Sequence, residues 1–186
     1  MNLPERIVAI HGALDAASVP HAFGGAIALA YWTENPRGTN DIDINIFLGA
    51  EDCEDGLRAL PSGVRWSESD REAIEREGQR RLWWTETPVD VFFDYHPIHS
   101  EAAAHRQHVT FEDTRIPILG PTELAVFKAM FDRTRDWADL EEMARNGTLD
   151  LATVRNTVVD MVGESDPRIA RLENSARRGS AALGSS

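Results

Sequence analysis

The sequence predicts an α/β (α+β) protein in which a mixed sheet flanked by helices is followed by a C-terminal helical bundle. Three observations predict it. From Asp41 to Ile46 the residues strictly alternate, with Ile42, Ile44 and Ile46 on one face and Asp41, Asp43 and Asn45 on the other, the period of a half-buried strand. A second alternating stretch, Val89–Tyr95, follows Arg81–Thr85 as the far arm of a hairpin, with helical patterns interleaved. After Gly120-Pro121 the apolar residues recur at helical spacing to the end. The 186 residues suit a core over 1–120 and a helical region over 121–178 that completes a cleft. Residues 179–186 are small and polar, the expectation being a disordered tail.

In order, residues 3–17 form an amphipathic helix with Leu3, Ile7, Ile10 and Leu14 on one stripe. Ser18–Phe23 is a short strand leading into Gly24-Gly25, and the apolar run Ala26–Trp32 is a helix closed by Pro36 and Gly38. The strand 41–47 follows, then an acidic helix from about Gly49 ending by Pro61 and a charged surface helix over Ser69–Gly78. The hairpin is expected to turn at Thr87-Pro88. His96–His108 is a helix or loop, and Val109–Leu119 holds one or two short strands. Thr122 caps a helix to about Asp132, and a second runs from Arg135 to Arg145. Asp150 caps a third helix, and Asp166-Pro167 opens a fourth that ends near Arg178.

Composition narrows the function. A net charge of −12 disfavours a broad grip on nucleic acid, so any RNA contact must be local. Candidates for such a patch are Arg155, Arg168, Arg171, Arg177 and Arg178. There is no apolar run long enough to span a bilayer, and the N-terminus lacks a signal-peptide pattern. The lone Cys53 excludes a disulfide framework, and a cytoplasmic location without membrane contact is expected. The pairs His96/His99 and His105/His108 do not match zinc spacing, since Pro97 interrupts them and no cysteine accompanies them.

Two constellations carry chemistry. Asp41 and Asp43 lie on one strand face, about 6.5 Å apart along the strand. Such a pair repels unless a cation sits between its members, and Mg²⁺ suits that place because it takes one or two carboxylates plus substrate phosphates. Gly24 and Gly25, opening a helix, offer bare N–H groups to an anion. On the second strand Asp90, Phe92 and Asp94 share a face. The other constellation centres on Lys128, the single lysine among nineteen basic residues. It falls on the apolar stripe Leu124, Phe127 and Phe131, either snorkelling or reaching a phosphate. Asp136 and Asp139 follow on one face of the next helix.

The order Gly-Gly turn, helix, Asp41-Ile42-Asp43 resembles the nucleotidyltransferase superfamily. The segment from Lys128 to Arg135-Asp136-x-x-Asp139 resembles its AbiEii-type branch, and within it the mycobacterial MenT toxins of toxin–antitoxin pairs. The resemblance implies a nucleotidyltransferase-like fold and an enzyme that transfers nucleotides from an NTP to the 3′ end of tRNA beside a cognate antitoxin protein. It implies two Mg²⁺ held by Asp41, Asp43 and a third carboxylate, with Asp90 the best fit and Asp94 the alternate. Gly24, Gly25, Arg37, Thr39 and Lys128 would bind the nucleotide, and Asp139 would orient the incoming hydroxyl. It also marks Thr39 as a site of antitoxin-linked phosphorylation, against a plain capping threonine. Alternatives are transfer to an aminoglycoside or a protein, and a silent NTP-binding module.

Overall fold

The computed structural model describes residues 1–33, 35 and 38–183. It divides into two compact units, residues 1–27 with 38–119 and residues 28–37 with 120–186. The chain order hides the membership of 28–37, which goes with the helical unit.

In the first unit, α1 (Leu3–Ala16) starts at Asn2, whose side chain accepts from the Glu5 N–H while Glu5 accepts from the Asn2 N–H, both at 2.9 Å. The strands are β1 (His21–Phe23), β2 (Ile42–Gly49), β3 (Val64–Arg65), β4 (Gln79–Trp84), β5 (Thr87–Asp94), β6 (Gln107–Phe111) and β7 (Thr114–Ile118). They form one sheet in the order β3-β4-β5-β2-β1-β7-β6. It is mixed: β2 pairs in parallel with β5 and β1 with β7, while the other neighbours are antiparallel. Helix α2 (Gly25–Thr33) leaves β1, and α3 (Cys53–Ala59), α4 (Glu68–Glu77) and α5 (Ile98–His105) punctuate the strands. Ile42, Ile44 and Ile46 are fully buried with Val89, Val91 and Phe93 beside them, which fixes one face of β2 and β5 inward and aims Asp43 and Asp90 the other way.

The hairpin differs from expectation. Its pairs Trp84↔Thr87 and Arg81↔Asp90 put the turn at Thr85-Glu86, two residues before Thr87-Pro88. Thr85 takes φ +54°, a conformation with no glycine to announce it. Pro88 instead sits in β5 ahead of Val89, the residue where pairing with β2 begins, so its missing N–H costs no bond there.

In the second unit, α6 (Pro121–Phe131) begins at Pro121 rather than at a Thr122 cap, with Gly120 at the N-cap. Helices α7 (Thr134–Arg145), α8 (Leu151–Val162) and α9 (Pro167–Leu183) follow. Val126, Leu140, Met143, Val154, Val158 and Leu172 build their core. The Thr148 hydroxyl donates to the Trp32 carbonyl at 3.0 Å, tying the later turns of α2 to this unit. Helix α9 runs past Arg178 to Leu183, where a tail was expected. Gly179 lies so close to α7 that a Cβ there would stand 2.3 Å from the Glu141 carbonyl oxygen, so the small residue lets the helix continue in contact. Among the described residues no helix is long and apolar enough to cross a membrane.

Candidate active site

The site in the first unit is built where β1, β2 and β5 lie side by side. The Gly24 N–H donates to the Asp43 carbonyl at 3.0 Å, laying the Gly-Gly turn flat on β2. Gly25 has φ +51°, and a Cβ on it would fall 1.8 Å from Asp43 Oδ2 and 2.5 Å from Cγ. Only glycine fits there. The Asp43 carboxylate therefore rests against the first residue of α2, a favourable place for negative charge.

Asp43 pairs in register with Asp90 on β5, so the two side chains leave the same face one strand apart. Asp94 is registered with Gly49, past an irregularity at the far end of β2, and its Oδ2 accepts from Ser100 at 3.2 Å. Of the two candidate third carboxylates, Asp90 is the one beside Asp43. Asp41 stands just before β2, about one-third exposed, and its Oδ1 accepts from the Thr39 hydroxyl.

Sequence reasoning missed the residue that holds these acids together. Arg81, opposite Asp90 on β4, donates through Nε to Oδ1 at 2.8 Å and through Nη2 to Oδ2 at 2.6 Å, with Nη2 4.0 Å from Asp41 Oδ2. The hydrogen bonds to Asp90, then the charges of Asp90, Asp41 and Asp43, push its guanidinium pKa up. The turn position is the signal that would have revealed it: a loop at Thr85-Glu86 places residue 81 across from 90.

The donors facing this point are carboxylate oxygens, the chemistry Mg²⁺ takes. Asp41 and Asp43 fit it, whereas both oxygens of Asp90 are engaged by Arg81. Among the described residues no group of three His, Cys, Asp or Glu side chains is gathered to hold a metal. Arg37 lies outside the described residues.

In the second unit Lys128 does not snorkel. Its Nζ donates to Asp139 Oδ2 at 2.7 Å and lies 3.7 Å from Asp136 Oδ1, with side chains only 4%, 7% and 1% exposed. Asp136 also accepts from Arg133 Nε at 2.7 Å and Nη2 at 3.2 Å, so two cations meet two buried acids. The structure thus brings together Gly24, Gly25, Thr39, Asp41, Asp43 and Asp90 in the first unit, and Lys128, Asp136 and Asp139 in the second.

No protein-family model matches the chain, and no curated protein sequence does either. The structure is similar to that of an antigenic nucleotidyltransferase-like protein from Paracoccidioides brasiliensis, at TM-score 0.55 and 16% identity over 92% of each chain. The chain has a nucleotidyltransferase-like fold. It is also similar in structure to the antibiotic-resistance factor ANT(2'')-Ia, at TM-score 0.50 and 12% identity, covering 97% of this chain and 94% of that one. At these identities the likeness is one of fold. Within this nucleotidyltransferase-like fold the contact of Gly25 with Asp43, and the Asp43–Asp90 register, give the sheet face its chemistry.

Proposed function

We propose that the chain is a nucleotidyltransferase that moves a nucleotide from an NTP to an acceptor hydroxyl at the Asp41–Asp43 end of β2. The observation that carries this is the packing of Asp43 on Gly25 with Asp90 one strand over, which fixes acids beside a bare helix start. Asp41 and Asp43 would hold Mg²⁺, while Asp90, expected as the third ligand, is engaged by Arg81. When bound there, Mg²⁺ would lower the pKa of the attacking hydroxyl and neutralise charge on the transferring and leaving phosphates. Gly24, Gly25, Thr39 and Arg37 would receive the phosphates. The chain's contribution is positioning: a rigid strand presents the acids and an N-terminal helix end faces the anion. Lys128 and Asp139, expected to meet the phosphates and the incoming hydroxyl, are instead bonded to each other and buried in the second unit.

The finer reading is a toxin of a toxin–antitoxin pair that acts on the 3′ end of tRNA, blocking aminoacylation and translation. Its support is the Lys128 and Arg135-Asp136-x-x-Asp139 pattern. Phosphorylation of Thr39, linked to the antitoxin, would add about two negative charges against the Asp41 carboxylate that its hydroxyl now contacts, silencing the site. Mass spectrometry of the protein co-expressed with its antitoxin should show that modification; an unmodified Thr39 would count against it.

Transfer to a cationic small molecule such as an aminoglycoside is the second reading, favoured by the net charge of −12. Incubating α-labelled NTPs with tRNA, bulk protein or an aminoglycoside separates the two. Label in tRNA supports the proposal; label only in the other acceptors redirects it, and label in none refutes it.

A further inference from the structure

The sheet face that carries the acids continues outward to an aromatic ring and a second arginine. Trp83 lies two residues from Arg81 on β4, so both point to the face of Asp90 and Asp43. Trp83 is 48% exposed, unusual for so large an apolar residue. Trp83 is paired with Pro88 on one side and with Arg65, on the terminal strand β3, on the other. Because Val89 pairs with Ile42, Pro88 is level with Asp41. Two strand spacings, about 10 Å, therefore separate Trp83 from the level of Asp41, within reach of a nucleotide neighbouring the reacting one. Arg65 is exposed, and its guanidinium has no ion-pair or hydrogen-bond partner among the described residues. Arg81, two residues along β4 from Trp83, is bonded to Asp90.

An exposed Trp83 beside the unpaired guanidinium of Arg65, on a chain that is otherwise strongly acidic, matches a ligand with a flat π-face and a negative backbone. We infer that Trp83, with Arg65 beyond it, is the platform on which the single-stranded 3′ end of an acceptor RNA lies. Trp83 stacks on a base next to the reacting nucleotide and Arg65 contacts the phosphate that follows. This rests on reading the Asp41–Asp43 end as the transfer site, and it places RNA recognition on the sheet rather than on the arginines of α9. Those arginines are largely engaged already: Arg171 by Asp132, Arg178 by Glu141 and Arg168 by Asp166.

The test pairs two measurements on the full chain. Fluorescence anisotropy of a labelled single-stranded RNA ending in CCA reads the platform, and calorimetry with each Mg·NTP reads the transfer site. Trp83→Ala should weaken RNA binding roughly tenfold while Trp83→Phe stays within about threefold of wild type. Arg65→Ala should weaken it too and lower the salt slope by about one. NTP binding should be unchanged in all three, and unchanged melting temperatures would confirm an intact fold. RNA binding by Trp83→Ala equal to wild type overturns the inference. So does a wild-type protein that binds an aminoglycoside but not the oligonucleotide. Should the RNA pattern hold while wild type binds no NTP, the platform stands and the transfer reading fails.

Discussion

The Asp43 carboxylate occupies the space in which a side chain at Gly25 would sit, 1.8 Å separating its Oδ2 from where a Cβ would be. Gly25→Ala must move that carboxylate or the start of α2. Displacing a catalytic group by an ångström costs about 100-fold in rate, so the variant should lose about that much transfer activity. The positive φ adds a stability cost of about 1 kcal/mol. Gly38→Ala, where a Cβ meets open space, should match wild type in both labelled-NTP transfer and thermal melting.

Arg81 balances charge among Asp90, Asp41 and Asp43. Arg81→Ala leaves those acids to repel one another unless a divalent ion replaces the guanidinium. The variant should melt below wild type in EDTA and regain most of the difference in millimolar Mg²⁺. A deficit of the same size in both buffers would show that the acids do not share a cation site.

Lys128 is buried against Asp136 and Asp139. Truncating one partner of such a cluster strands the remaining charge, at a cost of about 3–5 kcal/mol. Lys128→Ala should show that loss in denaturant unfolding, and Lys128→Met combined with Asp139→Leu should recover part of it. Wild-type stability in Lys128→Ala would mean that the ion pair is not structural.

His11 on α1 and His21 on β1 sit with Nδ1 and Nε2 3.0 Å apart, and His21 Nδ1 reaches the Val19 carbonyl at 2.8 Å. Burial pushes both pKa values below the ordinary 6.5; Asp15 opposes this, while His108 and Arg106 add to it for His11 and His21 respectively. The unfolded chain therefore binds more protons than the folded one as pH falls below about 6.5. Stability from this pair is complete above that pH and is lost as pH drops through the lower folded values. The melting temperature should fall on acidification from pH 7 to 5, and His21→Asn should flatten that slope.

Much of this was legible because it is written in local periodicity. The alternation around Asp41 and Asp43 needs only one strand and one buried face, and Gly24-Gly25 announces a turn by itself. Arg81 was hidden because its role depends on register, and register was set by a turn at Thr85-Glu86 that contains neither glycine nor asparagine. The proline two residues later drew the turn away. Strand β3, only two residues long, has no period to read, yet it brings Arg65 beside Trp83. The burial of Lys128 was equally hidden, since a helical stripe shows that a lysine is near apolar neighbours but not that Asp136 and Asp139 close over it.

The most direct test of the central claim is transfer of α-labelled nucleotide to tRNA by Asp41→Ala beside wild type. Asp41 is about one-third exposed and its side chain meets the Thr39 hydroxyl and, at 4.0 Å, Arg81, so its removal should leave melting nearly unchanged. The account predicts an active wild type and a variant at least on the order of a thousandfold slower with the same melting temperature. A variant that transfers at the wild-type rate would contradict it.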